Sequence, residues 1–409
     1  MKKTAAWFLT LVLLAALRAG AEFAVNLSKA FLVGTDGEIL TEATEYDRMV
    51  LLENAGFYAA RRAEDGKTVL LDRNGRNLGF EECDSVREHA GVLIAERDGK
   101  YALFTRDLAP VTDFGFTHLV DTEKGFLAFR TGVWDDVKDV MYVLSPDGTF
   151  VPAEAVVEYA FISFSEGLAA AVSDENGRYG YVDENGSWAI EAVYSSAGDF
   201  CEGLSAVGTP QGTALIDTAG NILLENTEGG IDVSPYYVLL SGREGITLYR
   251  RDGTELFEKR VFSGAHGALV GSCACVYGKS SSRLFDQNGR QRAAFRAGVL
   301  LYPDGDTIIA SSDSGMFLYD LNTGMSSSYC YSIQRLKNGS LFRYSVLSED
   351  NKLRFGFMNS YGKKLTKAVY GQVNTPAPGY AAAEADGEMI LLRVRDDSVE
   401  EILRIQTEQ

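Results

Sequence analysis

Short runs of alternating apolar and polar residues recur along this chain, and a glycine-containing turn closes most of them. The clearest run covers residues 167–172, where Leu168, Ala170 and Val172 would lie on one face of an extended strand. A similar run follows over residues 179–183. Successive side chains of a β-strand point to opposite faces of its sheet, so this period of two predicts strands.

The same order of strand and turn repeats with a spacing of about 36 residues, which lies within the range of repeat proteins. The spacing is marked by glycines that open an apolar strand, at Gly56, Gly91, Gly125, Gly167, Gly203, Gly267, Gly339 and Gly379. We therefore predict that residues 22–409 form one continuous array of about eleven β repeats.

Turns of the type Asp-x-Asn-Gly follow the second strand of several repeats, for example at residues 183–186 and 286–289. An Asp or Asn side chain accepts hydrogen bonds from the backbone two residues on, and glycine adopts positive φ without strain, so the motif predicts hairpin turns. A calcium loop would need more oxygen ligands and a distal Glu. These copies lack both, so the turn interpretation is favoured.

Three to four strands of four to six residues fit in each repeat, which is the content of a small propeller blade. The predicted fold is all-β: a tandem repeat of short antiparallel strands that is β-propeller-like, with an open β-solenoid as the alternative. About eleven repeats exceed the usual four to eight blades, so a closed array would form one large or two smaller propellers. Residues 42–54 are predicted as strand, and the tail 399–405 as a closing strand or a short helical turn.

Two of the repeats, residues 167–200 and 203–224, resemble WG repeats, a bacterial module. The matching residues are Glu166-Gly-Leu-Ala169, Tyr179-Gly-Tyr-Val-Asp183, Gly186, Ile190, Tyr194, Asp199-Phe200 and Glu202-Gly-Leu204. The Trp-Gly pair that names the module is Tyr179-Gly180 here, and it is lost in the next repeat at Thr213-Ala214. The resemblance implies a β-rich repeat and assigns no catalytic residue.

Residues 1–21 have the layout of a secretory signal peptide. Lys2 and Lys3 form a basic start, an apolar run of about a dozen residues follows, and small residues stand at Ala19 and Ala21. We therefore expect a bacterial protein that is secreted, or located at the cell surface or in the periplasm. We expect no stable membrane insertion after signal removal; an uncleaved membrane anchor is the alternative.

The chain is acidic, with 39 Lys and Arg against 57 Asp and Glu and a formal net charge of −18. Binding of nucleic acid and of anionic lipid depends on clustered Lys and Arg, so neither is an expected ligand. The expected partner is a protein or a glycan.

No catalytic, cofactor-binding or metal-ligating residue is predicted. The three histidines, His89, His118 and His266, fall in different repeats, and no Gly-x-Ser-x-Gly nucleophile motif occurs. The triplets 66–68 and 278–280 resemble the end of a phosphate-binding loop but lack its earlier glycine, so we predict hairpin turns there.

Five cysteines in an exported chain leave at least one unpaired. Cys273 and Cys275 lie two apart on a predicted strand and point to the same face, a spacing unsuited to a disulfide. We predict buried free thiols.

The predicted function is that of an exported, non-catalytic β-repeat scaffold that binds a protein or glycan partner at the cell surface. The loop 131–138 lengthens its repeat, and insertions in repeat proteins lie on one face that often binds. Trp134, Asp135 and Asp136 are the predicted binding residues. Trp134 and Trp188 could also stack on sugars, although aromatic residues in repeats more often pack in the core. The alternative function is an extracellular glycoside hydrolase that uses carboxylates borne on turns.

Overall fold

The computed structural model describes residues 21–27, 29–34, 38–41, 45–131, 139–158, 163–243, 245–251, 266–337, 341–395 and 398–406. Within these ranges it contains 37 β-strands, arranged in ten sheets, and no helix. Each sheet is numbered here in chain order.

Sheet 1 contains β1 (Ala21–Asn26), β2 (Ala30–Gly34), β3 (Tyr46–Leu52), β4 (Phe57–Arg62) and β5 (Thr68–Leu71), and sheet 2 contains β6 (Ser85–His89), β7 (Val92–Arg97) and β8 (Lys100–Phe104). Sheet 3 contains β9 (His118–Asp121), β10 (Phe126–Thr131), β11 (Asp139–Leu144) and β12 (Phe150–Pro152), and sheet 4 contains β13 (Val157–Glu158), β14 (Leu168–Ser173), β15 (Tyr179–Asp183) and β16 (Trp188–Tyr194). Sheet 5 contains β17 (Ser196–Ala197), β18 (Leu204–Thr209), β19 (Gly212–Asp217) and β20 (Ile222–Asn226), and sheet 6 contains β21 (Ile231–Val233), β22 (Tyr237–Gly242) and β23 (Gly245–Arg250).

Sheet 7 contains β24 (His266–Val270), β25 (Cys273–Tyr277), β26 (Ser281–Phe285) and β27 (Gln291–Arg296), and sheet 8 contains β28 (Leu300–Asp304), β29 (Thr307–Ser312) and β30 (Gly315–Asp320). Sheet 9 contains β31 (Ser332–Arg335), β32 (Phe342–Leu347) and β33 (Leu353–Met358), and sheet 10 contains β34 (Gln372–Asn374), β35 (Tyr380–Ala385), β36 (Glu388–Arg395) and β37 (Ser398–Gln406).

The described strands pair antiparallel with their neighbours in sequence, so each sheet is an up-and-down meander. A small antiparallel meander of this kind is the blade from which β-propellers are built. The predicted fold class, an all-β tandem repeat of short antiparallel strands that is propeller-like, is confirmed. Residues 42–54 contain β3 and the tail contains β37, which confirms the strand predictions for both segments.

The Asp-x-Asn-Gly turns form the predicted hairpins. Asp183 Oδ1 accepts hydrogen bonds from the backbone N–H groups of Asn185 and Ser187, both at 2.9 Å, and Gly186 has a φ of 74°. Asp286 Oδ1 accepts two equivalent bonds at 3.0 Å. The carboxylate therefore binds the backbone of its own turn, as the turn interpretation predicts.

The two glycine-lysine triplets are also turns, as predicted. Gly66 donates its backbone N–H to the carbonyl of Arg62 at 3.1 Å between β4 and β5. Gly278 donates to the carbonyl of Ser281 at 2.9 Å between β25 and β26. Neither triplet opens a helix, which a phosphate-binding loop requires.

The chain divides into two compact units. One consists of residues 111–329, which hold sheets 3 to 8. The other combines residues 1–110 with residues 330–409, and so holds sheets 1, 2, 9 and 10. The number of repeats and the way the array closes remain predictions, and the predicted signal peptide lies outside the described residues except for Ala21.

In the unit formed by residues 111–329, each sheet packs its apolar residues against the next sheet in sequence. Sheet 4 shows the pattern: Ala171 and Val182 join a buried cluster with Phe129 of sheet 3, while Tyr181 joins a second cluster with Val207 of sheet 5. Similar clusters join sheets 5 and 6, 6 and 7, and 7 and 8. Both faces of a sheet are therefore buried, and the meanders stack like layers.

In the other unit, the last sheet of the chain packs against the first. Met389 and Leu391 of sheet 10 share a buried cluster with Phe31 of sheet 1. The Asn374 side-chain amide donates to the backbone carbonyl of Asn26. Sheets 1 and 10 are therefore in contact although they are far apart in sequence.

A carboxylate links sheet 4 to sheet 5. Glu166 and Glu202 each precede a glycine in a tight turn, and both have positive φ, 56° and 49°. The Glu166 carboxylate accepts hydrogen bonds from the backbone N–H groups of Glu202 and, at 2.7 Å, of Gly203. Glutamate pays a conformational cost at positive φ, and these two charge-assisted bonds offset it.

Gly180 allows β16, the edge strand of sheet 4, to lie close to β15. A Cβ atom on this residue would lie 2.5 Å from the carbonyl oxygen of Ile190 and 2.7 Å from the backbone nitrogen of Ala192. The pairing of β15 with β16 is irregular at the same place, between Tyr179 and Tyr181. Any side chain here would push β16 away, so this position requires glycine.

Replacing Glu166 should free the turn of the next repeat. We expect Glu166→Ala to raise the exchange rate of the Gly203 amide about fivefold, because an exposed charge-assisted hydrogen bond contributes about 1 kcal/mol. Hydrogen–deuterium exchange read by NMR measures the change. Glu202→Ala is the matched control, since it removes the same side chain from the same kind of turn. If Glu202→Ala raises the exchange rate of the Gly203 amide as much as Glu166→Ala does, the link is contradicted.

The turn aspartates should make stability depend on pH. Hydrogen bonds from the Thr149 backbone and hydroxyl lower the pKa of Asp147, and bonds from Asn221 lower the pKa of Asp217. The Thr323 hydroxyl and backbone lower the pKa of Asp320. A lowered pKa in the folded state means that the stabilisation is complete above the unfolded pKa, about 3.9, and is lost as the pH falls through the folded value.

We therefore expect the urea midpoint to fall between pH 7 and pH 3, and to fall less in the variant D147N/D217N/D320N. An Asn can fill this role, since Asn359 Oδ1 accepts the turn bonds of Tyr361 and Lys363 at 3.1 and 3.0 Å. The control D232N/D306N/D313N removes the same charge from exposed positions outside these turn bonds. If the urea midpoint falls by the same amount between pH 7 and pH 3 in both triple variants, the turn aspartates are not the cause of the pH dependence.

Candidate binding surface on sheet 3

The predicted binding residues Trp134, Asp135 and Asp136 lie outside the described residues, so their role remains a prediction. The structure shows where their loop begins and ends. It connects β10 to β11, whose ladder pairs Arg130 with Val140 and then Thr131 with Asp139. The surface at this end of sheet 3 is therefore the one that the loop adjoins.

Arg130 is the polar centre of this end of the sheet. One of its terminal nitrogens donates a hydrogen bond to the Asp113 carboxylate at 3.1 Å. Its guanidinium carbon lies 5.7 Å from the centre of the Phe116 ring and 5.9 Å from that of Phe150. A guanidinium within about 6 Å of an aromatic face is attracted by the negative charge of that face, so both rings hold the side chain in place.

The aromatic residues also pack on each other. The Phe150 ring meets Phe116 edge-on at 5.7 Å and Tyr142 edge-on at 5.3 Å. Phe116 is fully buried, whereas Phe150 is 41% exposed and the Asp113 side chain is 70% exposed. The cluster thus has a buried base and an accessible rim. We call Asp113, Phe116, Arg130, Tyr142 and Phe150 the arginine–aromatic surface.

The segment that precedes β9 is fixed against β10. Thr117 donates both its backbone N–H, at 2.7 Å, and its hydroxyl, at 3.1 Å, to the carbonyl of Phe129. Gly115 lies against Arg130: a Cβ atom there would be 2.7 Å from a terminal guanidinium nitrogen. Glycine therefore lets the guanidinium pack directly on the backbone between Asp113 and Phe116.

This arrangement presents groups that could contact a partner. It offers a guanidinium that is already oriented, an exposed carboxylate and the edges of two aromatic rings. Such groups form hydrogen bonds and stacking contacts with a partner, and Arg and aromatic residues are enriched in protein interfaces. These five residues could not be predicted from the sequence, because they are spread over residues 113–150 and only the fold of sheet 3 brings them together.

The other ionisable side chains named in the sequence analysis do not meet. His89 lies on β6, His118 on β9 beside the Phe129 ring, and His266 on β24, so they belong to three different sheets. In the described part of the chain, no group of three or more His, Cys, Asp and Glu residues is arranged to hold a metal ion.

The five cysteines are free thiols. Cys83, Cys275 and Cys330 are buried, as predicted, whereas Cys201 and Cys273 are only half-buried. Burial raises the pKa of Cys83 to about 12 and that of Cys275 to about 11, so both thiols stay protonated at neutral pH. A protonated, buried thiol is a poor nucleophile and a poor metal ligand, which fits a packing role. Trp188 is also a packing residue, because it lies partly buried against the cluster between sheets 3 and 4.

Two pockets of the described structure are small and polar. One of about 230 Å³ is lined by residues of sheets 9 and 10, including Arg354, Gln372, Glu384 and Asp386. Another of about 250 Å³ is lined by residues of sheets 5 and 6, including Asn226, Glu228 and Ser241. Both are smaller than the 300–1,000 Å³ or so that is usual for small-molecule sites. No helix in the described ranges is long and apolar enough to cross a membrane.

Comparison with solved structures gives remote likenesses. A eukaryotic initiation factor is 10% identical, with a TM-score of 0.35, over 95% of this chain and 85% of its own. Apo AztD from Citrobacter koseri is 13% identical, with a TM-score of 0.30, over 76% of this chain and 94% of its own. Hsv2p from Kluyveromyces lactis is 10% identical, with a TM-score of 0.31, over 63% of this chain and 100% of its own. Similarity at this level carries no functional argument.

No curated protein matches this chain. The family model of the WG containing repeat matches residues 179–208. These residues run from β15 to β18, so the matched repeat contains the last two strands of sheet 4 and the first two of sheet 5. It includes Gly180 at the close approach of β16 and the turn of Glu202 that Glu166 binds. The resemblance noted in the sequence is confirmed for this stretch: residues 179–208 are a WG containing repeat within a β-repeat protein.

Proposed function

We propose that the protein is an exported, non-catalytic β-repeat scaffold that binds a protein or glycan partner at the cell surface. The observation that carries this proposal is the arginine–aromatic surface, whose Arg130 stands one residue before the end of β10, where the loop begins. The loop adds Trp134, Asp135 and Asp136 at the same end of sheet 3. In the sequence, these aromatic and acidic residues closely follow β10, which carries Arg130.

Export is supported by the signal-peptide layout of residues 1–21. Cleavage after Ala21 would make Glu22 the first residue of the mature chain, and β1 spans Ala21–Asn26. N-terminal sequencing of material from the medium or the envelope should start at Glu22; a chain that retains Met1 would contradict cleavage.

The buried faces of the sheets favour binding over catalysis. Apolar contacts occupy both sides of a sheet such as sheet 4, so polar chemistry is confined to turns and sheet ends. A glycoside hydrolase would need two carboxylates about 5–10 Å apart beside a site that accepts a sugar. The pocket of about 230 Å³ lined by Glu384 and Asp386 is the place where that alternative would be tested.

Removing the accessible aromatic ring should weaken partner binding. We expect Phe150→Ser and Trp134→Ala each to reduce binding of the purified full chain to a glycan array or to purified envelope proteins at least fivefold. Surface plasmon resonance against the best hit gives the affinity. Val151→Ser is the matched control, because Val151 is 61% exposed on the same strand but points to the opposite face.

If all three variants bind the partner as tightly as the wild-type chain does, this surface is not the binding site. Release of sugar product from any arrayed glycan, abolished by Glu384→Gln or Asp386→Asn, would replace the scaffold proposal with the hydrolase. Circular dichroism of each variant shows whether the fold is retained.

A further inference from the structure

Sheet 9 and the segment that follows it carry positive charge in an otherwise acidic chain. Residues 332–367 contain eight Lys and Arg and two Asp and Glu, a net charge of +6, whereas the whole chain has a net charge of −18. The two acidic residues, Glu349 and Asp350, lie together in the hairpin turn between β32 and β33. The remainder of this segment has no acidic residue.

The register of the sheet places several basic residues at the opposite end from that turn. Arg335 pairs with Phe342, Phe342 pairs with Met358, and Met358 forms a bridge to Lys364. These four residues therefore form one row across the sheet. With about 4.8 Å between neighbouring strands, the row is about 14 Å long and has a cation at each end.

Further basic residues adjoin this row. Lys337 follows Arg335 by two residues, and Lys363 precedes Lys364 in the segment that pairs with β33. Arg335, Lys337, Lys363 and Lys364 are all exposed. Four exposed positive charges therefore lie at one end of the sheet. Both acidic residues of the segment lie at the other end, in the hairpin turn.

Aromatic rings support these charges. The Arg335 guanidinium carbon lies 5.0 Å from the centre of the Phe342 ring, and Lys364 Nζ lies 4.7 Å from that of Tyr344. Tyr361 lies in the turn just before Lys363 and is 66% exposed. An exposed phenol ring beside lysines offers a flat apolar face and positive charge to the same ligand.

We propose that this basic end of sheet 9, formed by Arg335, Lys337, Tyr361, Lys363 and Lys364, binds an anionic glycan whose sugars carry carboxylate groups. The cations pair with the carboxylates, and the Tyr361 ring stacks on a sugar face. The site shares no residue with the arginine–aromatic surface, which lies on sheet 3. Either site can therefore fail without the other.

The charge distribution favours a glycan over nucleic acid. A nucleic acid strand carries a phosphate every 3.4 Å or so and gains affinity by neutralising many of them at once. A cationic row of about 14 Å spans only four or so such phosphates. Beyond it, a long nucleic acid would meet a chain whose net charge is −18. A short uronate oligomer has fewer charges, and its rings provide the faces that Tyr361 can contact.

Isothermal titration calorimetry with a polygalacturonate hexamer tests the proposal on the full-length mature chain. We expect binding at 50 mM salt that weakens at 200 mM salt. We expect K337Q/K363Q to raise Kd at least tenfold and Tyr361→Ala to raise it at least threefold. The matched control is Lys352→Gln, an exposed lysine next to the acidic turn at the opposite end of the same sheet; it should leave Kd within twofold.

Several results would overturn the proposal. The wild-type chain could give no heat of binding, or it could bind neutral dextran as tightly as the uronate. Lys352→Gln could also weaken uronate binding as much as K337Q/K363Q does. Tighter binding of a thymidine oligonucleotide than of the uronate would identify the site as one for nucleic acid instead. Retained uronate binding in Phe150→Ser, together with loss in K337Q/K363Q, would show that this site acts independently of the surface on sheet 3.

Discussion

The structure depends on burial of apolar side chains on both faces of each small sheet. On β15, Tyr181 and Val182 are neighbours that point to opposite faces, and both are fully buried. An isolated meander of three or four short strands would expose one or both of these apolar faces to water and lose the stabilisation that their burial provides. Each sheet therefore needs a neighbour on either side, which explains why the sequence repeats and why the last sheet packs on the first.

Much of this architecture could be predicted from the sequence. Alternation in residues 167–172 and 179–183 gave the strands, and the Asp-x-Asn-Gly motif gave the hairpins, because both signals are local. The Glu-Gly pairs at 166 and 202 were visible as part of a repeat motif. Their role could not be predicted. The Glu166 carboxylate accepts its hydrogen bond from the Gly203 N–H of the next sheet, so the bond depends on how the sheets stack.

The surfaces could not be predicted for the same reason. Asp113, Arg130 and Phe150 come together through the ladders of sheet 3, and the row from Arg335 to Lys364 exists only through the register of sheet 9. Sequence analysis proposed the loop with Trp134 because its length stands out. With the strand faces occupied by packing, the chain's accessible chemistry lies at sheet ends and turns, where both proposed ligand sites are found.

The central claim, that neighbouring sheets stabilise each other through buried faces, is tested most directly by amide exchange in a Val207→Ala variant. Val207 belongs to sheet 5, is fully buried and packs in one cluster with Tyr181 of sheet 4. The account predicts that the amides of Tyr181 and Val182 exchange about tenfold faster, although the substitution removes no hydrogen bond from their sheet. Faster exchange confined to sheet 5, with the amides of sheet 4 unchanged, would contradict it.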